Sequence, residues 1–187
     1  MKFIARKGAP DIPLELIEAQ ENDQLIFFCG AGISYPAGLP GFNGLVDDVY
    51  ANLTAKKDEL ELQAIKSGFY DRALGLLEGR IQGDTPQPIN SVRQKIINRL
   101  TVKSDANLET HKALLELSNT SLGHYRLVTT NVDHCFLLAE PSIEKYIDSA
   151  PKLPVPKPHK WKSLVHLHGF IDTERDPNGE HLVFTSG

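Results

Sequence analysis

Cysteine is scarce in this sequence. The 187 residues contain two, Cys29 and Cys135, with no CxxC pair. That excludes a four-thiolate zinc site, and both residues read as small core side chains of a protein kept in a reducing cytoplasm. Long apolar runs are missing too. Nothing approaches the 18 consecutive apolar residues of a membrane span, and the opening MKFIARKGAPDIP lacks the apolar stretch of a signal peptide. A cytoplasmic location is therefore expected. One-sided charge is also absent: 20 Lys and Arg stand against 24 Asp and Glu, a net charge of −4, with no long basic or acidic run. The bulk charge gives no reason to expect binding to nucleic acid or to an anionic membrane. There is no internal repeat and no low-complexity tract.

What is present is an ordinary globular composition, 41% hydrophobic and 24% charged, and a length that suits one domain or one domain with a small appendage. The apolar run at 25–28 predicts a strand buried on both faces. Stronger strands are predicted at 126–131 and 163–169, a weak one at 144–149 and a final one at 181–185. Helical spacing predicts helices over 12–20 (with Pro13 in the first turn), 43–53, 60–66, 70–82, 92–100, 110–117 and 132–140. Residues 83–88 and the proline-rich 150–160 read as loops, and 172–180 as a charged turn. Strand, long helical insert (43–124), strand, short helix, strand is the order of an α/β fold with a three-layer parallel sheet, and 1–187 is read as a single domain.

Three polar clusters fall at the ends of the three main strands. In Gly30-Ala31-Gly32-Ile33-Ser34 the glycines permit positive φ and close approach of a ligand to the backbone, and the start of a helix favours an anion. Ser34 can cap the helix or donate to a phosphate; the same residues also suit a tight turn that only needs small side chains. The full GxGxxG spacing is absent. In Thr129-Thr130-Asn131-Val132-Asp133-His134, Asn131 can hold a sugar hydroxyl or a water and Asp133 can accept from a hydroxyl, or both can be caps. In His166-Leu167-His168-Gly169 alternation points both imidazoles to one side, where one can serve as a general base, the other reading being a hydrogen-bonded core histidine. No acidic or cysteine residue is spaced to complete a metal site with this pair, so no metal is expected.

In that order, GAGIS, AGLPGF, TTNVDH and HLHG, spanning 30–169, the chain resembles the Sir2 (sirtuin) superfamily, and more closely the Sir2-like NAD+-cleaving domains of bacterial antiphage defence systems. The resemblance implies a Rossmann-like fold with NAD+ as substrate. It places Gly30, Ala31, Gly32 and Ser34 along the dinucleotide pyrophosphate, Pro40 and Phe42 in a mobile loop on the nicotinamide side, and Asp133 with Asn131 at the nicotinamide ribose. His168 becomes the catalytic base, and Asn131 orients the attacking water. It further implies an oligomer, or a partner or additional domain that triggers activity.

Departures shift the expected chemistry. The two CxxC pairs of the sirtuin deacylase zinc module are absent, so no zinc is expected. Gly41-Phe42-Asn43 stands where deacylases carry Asp-Phe-Arg, and the helical insert can cap the site. These differences favour NAD+ hydrolysis over protein deacylation or ADP-ribosyl transfer. A non-catalytic module that senses NAD+ or ADP-ribose is the third reading. The family's sheet usually continues past LVFTSG into a Gly-x-Ser segment that holds the adenosine half, so the chain is expected to be a fragment of a longer protein or a truncated member.

Overall fold

The structure is a computed structural model that describes residues 3–4, 11–84, 91–155, 157 and 161–184. Its centre is a four-stranded, all-parallel sheet built from β3 (Phe27–Cys29), β4 (Leu127–Thr129), β5 (Ile147–Ser149) and β6 (Leu164–His166), in the order β3-β4-β6-β5. The helices α1 (Leu14–Glu21), α2 (Phe42–Asn52), α3 (Glu59–Lys66), α4 (Tyr70–Asp84), α5 (Ser91–Leu100), α6 (Glu109–Ser118) and α7 (Cys135–Ala139) flank it. This is a Rossmann-like α/β fold, with α2 to α6 inserted between the first two strands of the parallel sheet.

The register is what positions a site. Cys29, Thr129 and His166 are mutual partners in the last row of three adjacent strands. The glycine-rich cluster, the asparagine cluster and the histidine cluster thus leave the sheet side by side, about 5 Å apart from strand to strand. Backbone bonds extend the ladder one step further: Thr130 N–H donates to the Cys29 carbonyl at 3.1 Å and Leu167 N–H to the Thr129 carbonyl at 2.9 Å.

Among the described residues, three apolar clusters pack around the sheet and the insert, the smallest formed by Ala37, Leu39, Val102 and Cys135. Of the remaining two, one joins Cys29, Leu127 and Leu164 of the sheet to Leu115, Phe136 and Ile143. The other belongs to the insert, with Leu45, Val46 and Val49 of α2 against Leu74 and Leu77 of α4 and Ile96 and Ile97 of α5. It runs on into Val132, Ile171, Leu182 and Phe184, so the insert packs on the carboxyl ends of the strands. Its α3–α4 hairpin is set by local chemistry. Asp58 Oδ1 accepts from Glu61 N–H and Glu61 Oε2 from Asp58 N–H, a reciprocal cap at the start of α3. The buried Glu61 carboxylate then accepts from Arg80 of α4 at 3.0 Å. Arg93 of α5 binds Glu78 at 2.9 Å and donates to the carbonyls of Gly179 and Leu182, fastening the segment after β6 to the insert.

Several expectations are corrected. β3 is not buried on both faces: it is the edge strand, and Phe28 is 68% exposed. Ile12–Pro13 is not helical but a short strand, β2, antiparallel to β1 (Phe3–Ile4), with Pro13 extended at ψ 135° just before α1. Residues 144–146 belong to a 3-10 turn, Pro141–Tyr146, whose entry is capped by the Glu140 side chain. Gly83 and Asp84 continue α4, and the rest of that expected loop, 85–88, lies outside the described residues. The expected final strand does not form over 181–184, which joins the sheet exit by one bond, Val183 N–H to the His168 carbonyl at 2.8 Å; residue 185 lies outside the described residues.

Candidate functional site

A pocket of about 460 Å³ opens at the carboxyl ends of β3 and β4 and beside the turn after β6. It brings together Ala31, Ser34, Pro40, Phe42, Asn131, Asp133 and His168, seven of the residues singled out by sequence. Gly30 and Gly32 flank Ala31 without lining the pocket themselves. The insert contributes Leu45, Asp71 and Leu100, and the segment after β6 contributes Val183 and Phe184. Lysine and arginine are absent from its lining among the described residues.

After β3 the chain enters a 3-10 turn, Ala31–Ser34, from an extended Gly30 at φ −129°. Neither Gly30 nor Gly32 has positive φ, so left-handed geometry does not account for them. A Cβ on Gly32 would meet no atom within 4 Å. Neither conformation nor packing therefore requires glycine at 32. The Ala31 and Gly32 N–H groups have no acceptor among the described residues, whereas Ile33 N–H returns to the Gly30 carbonyl at 3.2 Å. This is the turn's first-residue orphan chemistry, which an anion can satisfy.

Ser34 sits at the centre of a buried polar network. Its hydroxyl donates to Asp133 Oδ2 at 3.0 Å, since a carboxylate only accepts. Its lone pairs then accept from Asn131 Nδ2 at 3.0 Å and from His111 Nε2 at 3.3 Å. The hydroxyl is fully used, and it faces these partners rather than offering a free proton to a phosphate. This arrangement makes His111 the Nε2–H tautomer, and its Nδ1 has no partner among the described residues. Burial pulls the His111 imidazole below its ordinary pKa, with the Asp133 charge acting the other way. The other Asp133 oxygen accepts from Cys135 N–H at 3.1 Å and holds the start of α7. Burial, reinforced by Asp133, pushes the Cys135 thiol well up.

His111, Asp133 and Cys135 place ligand-type atoms within 4.8 Å of one another, all buried. The Ser34 hydroxyl already lies between His111 and Asp133 at hydrogen-bond distance from each. His111 Nε2 and Asp133 Oδ2 are thus already engaged by that hydroxyl, while His111 Nδ1 is not.

The two histidines of HLHG part company. β6 ends at His166, so the alternation that would put both on one side stops there. His166 is a core residue: its Nδ1–H donates to the Asn131 carbonyl at 2.7 Å, and its ring packs edge-on against Phe170 at 5.0 Å. Nε2 is buried without a partner among the described residues, and desolvation lowers the pKa to about 4. His168 is exposed, reaches the pocket, and its ring has no partner among the described residues. Gly169 behind it has φ +91°, and a Cβ there would lie 2.7 Å from the His181 carbonyl oxygen, so only glycine lets the chain turn away at this point. Asn131 is held by three bonds, its N–H to Thr129 Oγ1, its carbonyl to His166 and its Nδ2 to Ser34; its Oδ1 has no partner among the described residues.

His111 and Asp71 were not singled out by sequence. No local signal marks His111, which lies on an ordinary amphipathic helix. Asp71 carries only the first-turn acid signature of α4.

No family model matches the sequence. Over 184 residues it is 29% identical to an uncharacterized protein, y4cA, of Sinorhizobium fredii. The match covers 95% of this chain but 15% of that protein, so the chain spans a small part of the relative's length.

Proposed function

We propose that the chain is an NAD+ glycohydrolase domain, releasing nicotinamide and ADP-ribose. One observation carries this reading: an apolar pocket at adjacent strand ends holds an asparagine and an imidazole without a ring partner among the described residues, beside a glycine turn whose Ala31 and Gly32 N–H groups have no acceptor among them. Ligands of open parallel sheets sit at this edge. In the proposed reaction the bond between the ribose anomeric carbon and the pyridinium nitrogen breaks, and its electron pair goes to the ring, leaving neutral nicotinamide. A water oxygen bonds to the anomeric carbon through an oxocarbenium-like state. Asn131 Oδ1 orients that water, and His168 takes its proton or that of a ribose hydroxyl. Positioning and electrostatics do the catalytic work, because the pyridinium is already a good leaving group.

By resemblance, the biological setting is cytoplasmic antiviral defence in a prokaryote, with activity released by oligomerisation, a partner or a further domain. The structure contributes one coarse fact to this setting: among the described residues no helix is long and apolar enough to cross a membrane.

The test is nicotinamide release from NAD+ without any peptide, read by chromatography. Turnover that disappears in His168→Ala and in Asn131→Ala supports the assignment, and NAD+ left intact by the wild-type protein defeats it. A second reading, binding without turnover, is favoured by the Asn131–Ser34 bond, which ties up the asparagine amide. It predicts calorimetric binding of ADP-ribose with no product from NAD+.

A further inference from the structure

Charge is distributed unevenly around the pocket. Its lining includes two carboxylates, Asp71 and Asp133, and no lysine or arginine. Asp133 is committed to Ser34 and to Cys135 N–H. Asp71 is half-buried, and its side chain has no hydrogen bond or ion pair among the described residues. Its place is fixed by the insert. Phe42 opens α2 and Tyr70 opens α4, and their rings meet at 5.9 Å. Asp71 follows Tyr70 and so stands at the Phe42 side of the pocket, on the insert. The glycine turn lies on the sheet side, where Ala31 and Ser34 contribute to the lining.

We infer that Asp71 is a specificity-determining residue that selects a ligand carrying a positively charged ring at the insert side of the pocket. The inference rests on the NAD+ reading above and adds an orientation and a preference to it. NAD+ has a cationic ring at one end and a diphosphate in the middle. The diphosphate is repelled by an unpaired carboxylate and attracted by acceptor-free N–H groups, so it goes to the glycine turn. That leaves the pyridinium, lying between Phe42 and other apolar walls, to face Asp71. The interaction is worth more there than in open water, because the surrounding lining is mostly apolar and the carboxylate is only half-solvated. NADH makes a matched probe: the ring keeps its size and loses its charge.

The experiment is calorimetric binding of NAD+ and of NADH to the wild-type chain and to Asp71→Asn, with thermal denaturation as a check on folding. Wild type is expected to bind NAD+ roughly tenfold more tightly than NADH, and Asp71→Asn to bring the two affinities within about twofold. Asp71→Glu keeps the charge and retains part of the preference. A measurement on wild type alone gives an independent check, since the preference must shrink as salt is raised from 0.05 to about 0.5 M. Equal wild-type affinities, or a preference that survives in Asp71→Asn, overturn the role of Asp71 while leaving the NAD+ site standing. Binding of neither nucleotide to the wild type overturns the NAD+ reading and this inference with it.

Discussion

Gly32→Ala separates what the glycine turn does for the protein from what it does for a ligand. Gly32 lies in a 3-10 turn without positive φ, is exposed, and has open space where a Cβ would go. Alanine there restricts the unfolded chain and strains nothing in the folded one, which is worth about 0.4–1 kcal/mol of added stability. For a chain of this size that raises the melting temperature by roughly 1–4 °C. The ligand should respond in the opposite direction. A diphosphate drawn to the Ala31 and Gly32 N–H groups needs the space the new methyl would occupy, and a tenfold loss of affinity corresponds to about 1.4 kcal/mol. ADP-ribose is the better probe because it cannot be turned over. At a concentration a hundred times its wild-type Kd it stabilises by about 2.7 kcal/mol, and at the same concentration the variant should gain only about 1.4 kcal/mol. Differential scanning calorimetry with and without ADP-ribose reads both effects. A lower melting temperature in the ligand-free variant would mean that the turn itself demands glycine. An undiminished ligand shift would mean that no diphosphate touches this backbone.

Two further outcomes follow from the buried network. Ser34→Ala strips a partner from Asp133, Asn131 and His111 at once, and should cost about 3 kcal/mol or more in urea denaturation; a loss below about 1 kcal/mol would show that the hydroxyl is not the hub. Stability should also fall on acidification between pH 6.5 and about 4. There the unfolded chain binds a proton at His166 that the folded chain, with its pKa near 4, refuses. The contribution is complete above pH 6.5 and is lost as pH drops through this window, on the order of 3 kcal/mol in all. His111 and His134, also lowered by burial, act in the same direction. His166→Asn should flatten this slope, and an unchanged slope would assign it elsewhere.

The strand ends were legible because polar and glycine residues interrupt apolar runs, and that interruption survives folding: Gly30, Thr130 and Leu167 each lie one step beyond a single register row. The face each strand presents was not legible. Phe27 and Phe28 read as a run buried on both sides, but burial depends on which neighbours cover the edge, a fact carried by other parts of the chain. The shared side read for His166 and His168 failed for a related reason, since alternation holds only while the strand lasts and β6 stops at His166. Two-residue strands such as β1 and β2 are too short to show any period. His111 joins Ser34 across 77 positions of sequence, and helical spacing alone cannot distinguish a buried hydrogen-bonding imidazole from any other half-apolar helix position.

The Ser34 oxygen also ties together parts of the molecule that are remote along the chain. The asparagine at the sheet exit, the carboxylate that starts α7 and the imidazole of α6 all share a hydrogen bond to that one atom. A small molecule that takes this oxygen as its partner must replace three buried hydrogen bonds, which reach α6 and the segment that leads into α7.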